Sequence, residues 1–346
     1  MNTRMLVAVL FVIGLKSVEG QLVEQVSHGT EESWPIVIAH RGASGYLPEH
    51  TTEAAVFAHA LGADYIEQDC VVSKDNVPVV LHDITLDRVT NVAEVFPDRC
   101  RDDRHWYVFD FTLEELRQLN VRERYGQAGS SRFPDRLARF QIATLQEHVE
   151  LIRGLDHTRR TATGLYIELK QPARHHEEGL DVAVEVLRVL DTFKLNGADD
   201  RVYLQCFDPD EVRRLRVDLE CRLPLIQLLK DPPDADQIHE YARIVDGLGV
   251  SIPCVVSGIT TGNDPQPIFT DVIRQAHENA MQVHVWTVRT DRLPPFAESV
   301  DQLLNWLVQD AGADGVFSDH PDAIVKWRES MSPVRKSGPF QLIRRR

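Results

Sequence analysis

Histidine, carboxylate, arginine and lysine residues close four apolar runs along this chain. His40 and Arg41 follow Pro35-Ile36-Val37-Ile38-Ala39, Glu67 and Asp69 flank Gln68, His82 and Asp83 follow Val79-Val80-Leu81, and Glu168 and Lys170 flank Leu169. Side chains two apart on a strand share a face, so Glu67 points with Asp69 and Glu168 with Lys170. Three carboxylates brought to one spot repel one another and shift toward protonation unless a cation joins them. Oxygen-only ligation favours a hard ion, Mg2+ or Ca2+, over zinc. Arg41 offers a bidentate fork for phosphate oxygens, and Lys170 adds a point charge. His40 and His82 supply a base and an acid near neutral pH. Together these residue types suit metal-assisted cleavage of a phosphodiester. A surface carboxylate satisfied by water explains any one of the acids, but not the joint set.

Such residues meet only if the runs that carry them are parallel strands whose C-terminal ends share one mouth. Candidate strands are 35–40, 64–72, 77–82, 164–169, 201–206, 223–229, 246–252, 281–287 and 314–317. Nine is one too many for an eight-stranded barrel, but Ser73-Lys74-Asp75-Asn76 is too short for a parallel crossover and closes an antiparallel hairpin. Eight parallel strands remain, the pattern of an α/β TIM barrel.

Helices are expected at Thr51 to Leu61, Thr144 to Arg153, Glu178 to Leu190, Pro209 to Leu215, Thr270 to Glu278 and Pro294 to Leu307. Residues 84–143 break the alternation and read as an insertion after the hairpin, placed on the loop face where it shapes the pocket. Trp286, near the end of the last strand but one, offers an aromatic face to a substrate alcohol. His50, His59, His148, His175, His176, His277 and His284 read as structural or surface residues.

The 346-residue chain carries a formal net charge of −15 and a pI near 5.4, which argues against broad attraction to nucleic acid or anionic membrane. Met1 to Arg4, an uncharged stretch from Met5 to Leu15 and a small-residue exit fit an export signal over residues 1–20, and the stretch is too short for a membrane span. The expectation is an exported, periplasmic or secreted protein with a main domain over residues 35–330 and a basic tail over 331–346. The five cysteines, Cys70, Cys100, Cys206, Cys221 and Cys254, have no CxxC spacing. Cys70, Cys206 and Cys254 read as core residues, while Cys100 lies in a polar loop.

The stretch from His40-Arg41-Gly42-Ala43-Ser44-Gly45 to Glu49-His50-Thr51 is followed by Glu67-Gln68-Asp69, Leu81-His82-Asp83, Ile167-Glu168-Leu169-Lys170, Gln205-Cys206-Phe207-Asp208, Trp286-Thr287 and Gly312-Ala313-Asp314-Gly315. This ordered set resembles the glycerophosphodiester phosphodiesterase family, above all its exported bacterial members, over about Pro35 to Trp327. The resemblance implies a TIM barrel with an inserted subdomain and Ca2+- or Mg2+-dependent hydrolysis of glycerophosphodiesters to sn-glycerol 3-phosphate and an alcohol. It implies Glu67, Asp69 and Glu168 as metal ligands and His40 and His82 as the acid and base pair. Arg41 and Lys170 are implied as phosphate contacts, and Trp286 as part of the glycerol pocket. In the family mechanism the glycerol 2-hydroxyl attacks phosphorus and the resulting cyclic phosphate is opened by water. Cys206 stands where a small hydroxylated residue is common, which suggests sensitivity to oxidation.

Two other readings compete. A phospholipase D or sphingomyelinase D type activity on intact lipids needs an apolar, membrane-facing mouth, against which the polar run Asp98 to Arg104 argues. A binding protein on a retained barrel has no need of the complete set of acids and histidines.

Overall fold

The computed structural model describes residues 34–125, 132–134, 136–261 and 265–331. The expected export signal lies outside the described residues, as does the basic tail beyond Met331. Among the described residues no helix is long and apolar enough to cross a membrane.

Eight parallel strands close into a barrel: β1 (Ile36–Ala39), β2 (Tyr65–Val72), β4 (Gly164–Leu169), β5 (Val202–Cys206), β6 (Leu225–Leu229), β7 (Gly247–Ser251), β10 (Gln282–Val288) and β11 (Gly315–Ser318). They pair in the order β1-β11-β10-β7-β6-β5-β4-β2, and β2 returns to β1 to close the ring. The strand β3 (Pro78–Val80) pairs antiparallel with β2, Cys70 opposite Val80, as the short turn between them requires. An antiparallel ribbon of β8 (Val256–Ile259) and β9 (Pro267–Phe269), not expected from the sequence, stands apart from the barrel sheet.

Period-two alternation explains what each strand delivers. Ile36, Ile38, Tyr65, Tyr166, Tyr203, Ile226 and Phe317 form one buried cluster, with Trp286 against it. A larger, separate cluster joins strands to helices. One inward step beyond the first cluster, two residues on, the same strands carry His40, Glu67, Glu168, Gln205 and Asp319. An aromatic layer therefore underlies a polar one. Tyr166 and Tyr203 stack with centroids 4.9 Å apart, and the Tyr166 hydroxyl lies 2.8 Å from His284 Nδ1. His284 is thus structural, as expected.

Local chemistry sets the helix starts. Thr51 caps the helix Thr52–Ala60 by accepting from the Ala54 amide, and Thr144 with Glu147 forms a complete capping box on Leu145–Arg159. The helix expected from Glu178 begins only at Val182, capped by Asp181, because Gly179 takes φ +75° and ends a separate short helix, Pro172–Glu177. The helix expected from Pro294 begins at Val300, where Ser299 supplies the cap that the prolines do not.

The insertion holds short helical turns, among them Val92–Val95 and Leu113–Leu116. Val89, Val92, Phe111, Leu116, Leu119 and Val121 are buried in the main core, so it is packed in rather than appended.

Candidate active site

Carboxylates come first, because the barrel register brings them level. Asp69 on β2 lies opposite Glu168 on β4, which lies opposite Gln205 on β5. Ligand oxygens of Glu67, Asp69 and Glu168 all fall within 4.8 Å of one another, and all three residues are buried. Burial, then repulsion from Asp69, pushes the Glu168 carboxyl up to about 8 although Lys170 lies beside it. Burial together with Asp69 and Glu168 also pushes Glu67 well above the carboxylate range. Against burial, Lys170, His50 and His82 hold Asp69 well below it.

The donor set fits a hard divalent cation. It is oxygen-only, crowded enough to resist full ionisation without a counter-charge, and Asp69 Oδ1 is buried with no hydrogen-bond partner. Lys170 Nζ lies 2.5 Å from Glu168 Oε1 and 3.8 Å from Asp69 Oδ1.

His50, expected to be structural, proves to belong to the site. Its Nε2 lies 2.7 Å from Asp69 Oδ2 and the ring is buried, so it orients a candidate ligand. Gln205 Nε2 donates to Glu67 Oε1 at 2.9 Å and does the same for Glu67.

Each expected acid–base histidine is fixed through Nδ1 by a carboxylate. His40 Nδ1 lies 2.6 Å from Asp319 Oδ1, and Asp319 Oδ2 accepts from Arg132 at 2.6 Å and Arg289 at 2.9 Å. His82 Nδ1 lies 2.5 Å from Asp83 Oδ1, and Asp83 Oδ2 accepts from Arg124 at 2.7 Å. Asp83 and Asp319 are both held below the usual range, against burial, by their histidine and arginine partners. An ionised carboxylate only accepts, so Nδ1 donates and each Nε2 is left as the atom that can take up or give a proton. His40 Nε2 lies 3.8 Å from Glu67 Oε2, beside the acid cluster. Burial and then Arg41 push His40 down to about 4 and lower His82 as well.

Arg41 differs from expectation. Its Nη1 binds Glu49 at 3.0 and 3.1 Å and its Nε lies 3.4 Å from Asp69, so carboxylates already face the fork. Its backbone also takes part: φ is +59°, and the amide donates to Glu67 Oε2 at 2.9 Å. Gly42 follows at φ +79°, where a Cβ would meet the Ala54 backbone at 2.8 Å, so the turn that aims this amide requires glycine.

Trp286 donates from Nε1 to the Gly249 carbonyl at 3.0 Å and meets Phe207 edge to face at 5.8 Å. Phe207, 44% exposed, borders with His82, Glu168, Lys170 and Asp208 a cavity of about 330 Å3. Cys206 touches that cavity but is buried, bonded to the Leu169 carbonyl, and its thiol is pushed up by burial. The expected sensitivity to oxidation therefore lacks a reactive thiolate. All five cysteines are free.

Asp319, Arg124, Arg132, Glu49 and His50 are among the site residues that sequence reasoning left without a role. Asp319 had a signal in the two-residue step from Phe317. The arginines had none, since the insertion has no strand period.

The mouth of this barrel thus presents the means to hold a charged phosphorus centre and to pass protons beside it, the equipment of a phosphoric diester hydrolase. Comparison with known proteins agrees. A model described as the glycerophosphoryl diester phosphodiesterase family matches residues 40–323. A glycerophosphodiester phosphodiesterase of Haemophilus influenzae is 37% identical over 327 residues, covering 84% of this chain and 89% of its own. One of Treponema pallidum is 33% identical, covering 84% and 91%. The solved structure of an Oleispira antarctica phosphodiesterase, in complex with the product sn-glycerol-3-phosphate, shares the fold at TM-score 0.60 and 24% identity, covering 86% of this chain and 98% of that one. The chain belongs to the glycerophosphoryl diester phosphodiesterase family.

Proposed function

We propose that this chain hydrolyses glycerophosphodiesters such as glycerophosphocholine and glycerophosphoethanolamine to sn-glycerol 3-phosphate and the free alcohol. The observation that carries the reading is the cluster of Glu67, Asp69 and Glu168 beside two histidines that are each tied through Nδ1 to a carboxylate. Glu67, Asp69 and Glu168 would hold one Ca2+ or Mg2+, which when bound lowers the pKa of an attacking hydroxyl and offsets charge on phosphoryl oxygens. Lys170 lies against the same acids and meets a phosphoryl oxygen as a point charge. Arg41 contacts the phosphate while keeping Glu49.

One histidine Nε2 takes the proton of the glycerol 2-hydroxyl as its oxygen bonds to phosphorus. The other protonates the departing alkoxide as the P–O bond to the alcohol breaks. Roles reverse when water opens the cyclic phosphate, so each histidine regains its starting proton count. Burial and then the Arg41 charge lower both histidines, and the phosphodiester anion, by offsetting Arg41, favours the protonated form of the one that acts as acid. Phe207 and Trp286 present aromatic faces to the glycerol. Export, read from residues 1–20, belongs to the same proposal and places the enzyme where deacylated lipids occur outside the cytoplasm.

Phosphorus NMR of glycerophosphocholine turnover tests the reading. The expected course is loss of the diester, a transient cyclic phosphate and growth of sn-glycerol 3-phosphate. Choline phosphate as product counts against it, as does turnover of phosphatidylcholine vesicles in place of the water-soluble diester.

A further inference from the structure

Arg124 lies in the insertion, outside every barrel strand, yet its side chain is only 4% exposed and reaches two parts of the site at once. The segment that carries it is pinned: Thr90 and Val121 form an antiparallel bridge, Arg122 N donates to the Val89 carbonyl at 2.7 Å, and Val121 N donates to the Phe140 carbonyl at 2.9 Å. From this base the guanidinium makes a fork with Glu49, Nε to Oε2 at 2.8 Å and Nη2 to Oε1 at 2.7 Å. Its remaining nitrogen, Nη1, donates to Asp83 Oδ2 at 2.7 Å.

Each carboxylate passes the contact on. Glu49 accepts from Arg41 Nη1, and Asp83 accepts from His82 Nδ1 at 2.5 Å. A continuous charge-assisted path therefore runs Arg41–Glu49–Arg124–Asp83–His82 through the post-β1 turn, the hairpin end and the insertion. Asp319, the counterpart of Asp83, is held by two arginines, Arg132 and Arg289. Asp83 has Arg124 in that place.

We propose that Arg124 is a positioning residue through which the insertion sets the orientation of His82 and Arg41 together. The proposal rests on the assignment of those two residues to proton transfer and phosphate contact. A planar fork is needed because one group must meet Glu49 with two parallel bonds and Asp83 with a third, which a lysine ammonium cannot match. Without it, Asp83 turns freely and His82 loses its fixed tautomer, while Glu49 and Arg41 relax as a pair.

The test compares wild type, Arg124→Ala, Arg124→Lys and Asp83→Asn, with thermal melts as the control for folding. On glycerophosphocholine, Arg124→Ala is expected to lower kcat by about 10- to 100-fold, the range seen when partners that orient site residues are removed. Guanidinium ion below denaturing concentration restores part of that loss in Arg124→Ala, and Arg124→Lys does not recover it. The double variant Arg124→Ala/Asp83→Asn falls no further than the worse single variant. Folded Arg124→Ala with wild-type kcat overturns the proposal, and so does a loss that guanidinium leaves untouched.

Should Arg124→Ala fail to fold, Asp83→Asn and Glu49→Gln divide the path: the first must lower kcat and the second raise KM, and unchanged values in both overturn it. Nitrogen-15 spectra of labelled histidine separate this claim from the activity itself. Wild type shows His82 as the Nδ1-protonated tautomer and Arg124→Ala shows a mixture, whatever the substrate proves to be. An unchanged His82 signal in folded Arg124→Ala sinks the positioning role.

Discussion

His40 Nδ1 meets Asp319 Oδ1 at 2.6 Å across 279 residues of chain, joining the first barrel strand to the residue that follows the last. The contact exists because β1 pairs with β11, Ala39 opposite Ser318, so the next inward positions of the two strands are neighbours. Asp319→Asn keeps the size of the side chain but lets an amide donate toward Nδ1, which places the histidine proton on the wrong nitrogen. The expected result is a fall in kcat of about 10²- to 10⁴-fold, the usual worth of general acid–base catalysis. Steady-state kinetics beside calorimetric metal titration checks it, since metal affinity should stay at the wild-type level.

In the proposed mechanism metal binding and proton transfer separate by residue. Glu67→Ala removes an oxygen from the acid cluster and should weaken Ca2+ or Mg2+ binding sharply, whereas His40→Ala should leave it largely intact. His50→Ala frees Asp69 from its 2.7 Å partner and should cost about 10- to 100-fold in metal affinity. Isothermal titration of the three variants with metal alone gives the comparison. Equal affinity in Glu67→Ala and wild type would remove the acid cluster from the account.

A buried histidine remote from the acids makes stability depend on pH. His284 lies in the aromatic layer with its pKa lowered by burial from 6.5 to about 4. The unfolded chain therefore binds a proton near pH 6.5 that the folded chain refuses until about pH 4. Stability from this residue is complete above 6.5 and is lost as pH falls toward 4, on the order of 3 kcal/mol in all. Urea midpoints at neutral pH and near pH 5 should fall less for His284→Gln than for wild type, and an equal fall would contradict the assignment.

Thiol reactivity should follow burial rather than nearness to the pocket. Cys206 borders the cavity yet is 1% exposed, while Cys100 lies partly open in the insertion. Iodoacetamide on the native protein should label Cys100 and spare Cys206, with activity retained. Peptide mass spectrometry reads both, and labelled Cys206 would restore the oxidation-sensitive reading.

The barrel and the acid cluster of the site were legible because strand alternation turns sequence spacing into position. Glu67 with Asp69, and Glu168 with Lys170, needed only a two-residue step and a shared mouth. The antiparallel hairpin followed from four turn residues too few for a crossover. Asp319 carried the same two-residue signal beyond Phe317 but sits in Ser318-Asp319-His320, where polar residues are ordinary. His50 lies in the turn after β1, where no period says which way a side chain faces. Arg124 and Arg132 come from the insertion, whose path depends on tertiary packing of Val89, Val121 and their neighbours rather than on local pattern. The β8–β9 ribbon was missed because Val256 to Ile259 directly follows the short helix Ile252–Val255, with no break in composition.

Release of sn-glycerol 3-phosphate from glycerophosphocholine, measured with a chelator and then with Ca2+ or Mg2+ restored, bears most directly on the proposed central claim that Glu67, Asp69 and Glu168 hold a working cation. The predicted result is product from wild type, none under chelation, recovery on adding metal, and no recovery in Glu67→Ala. Turnover that persists at the wild-type rate after chelation, or in Glu67→Ala, would contradict it.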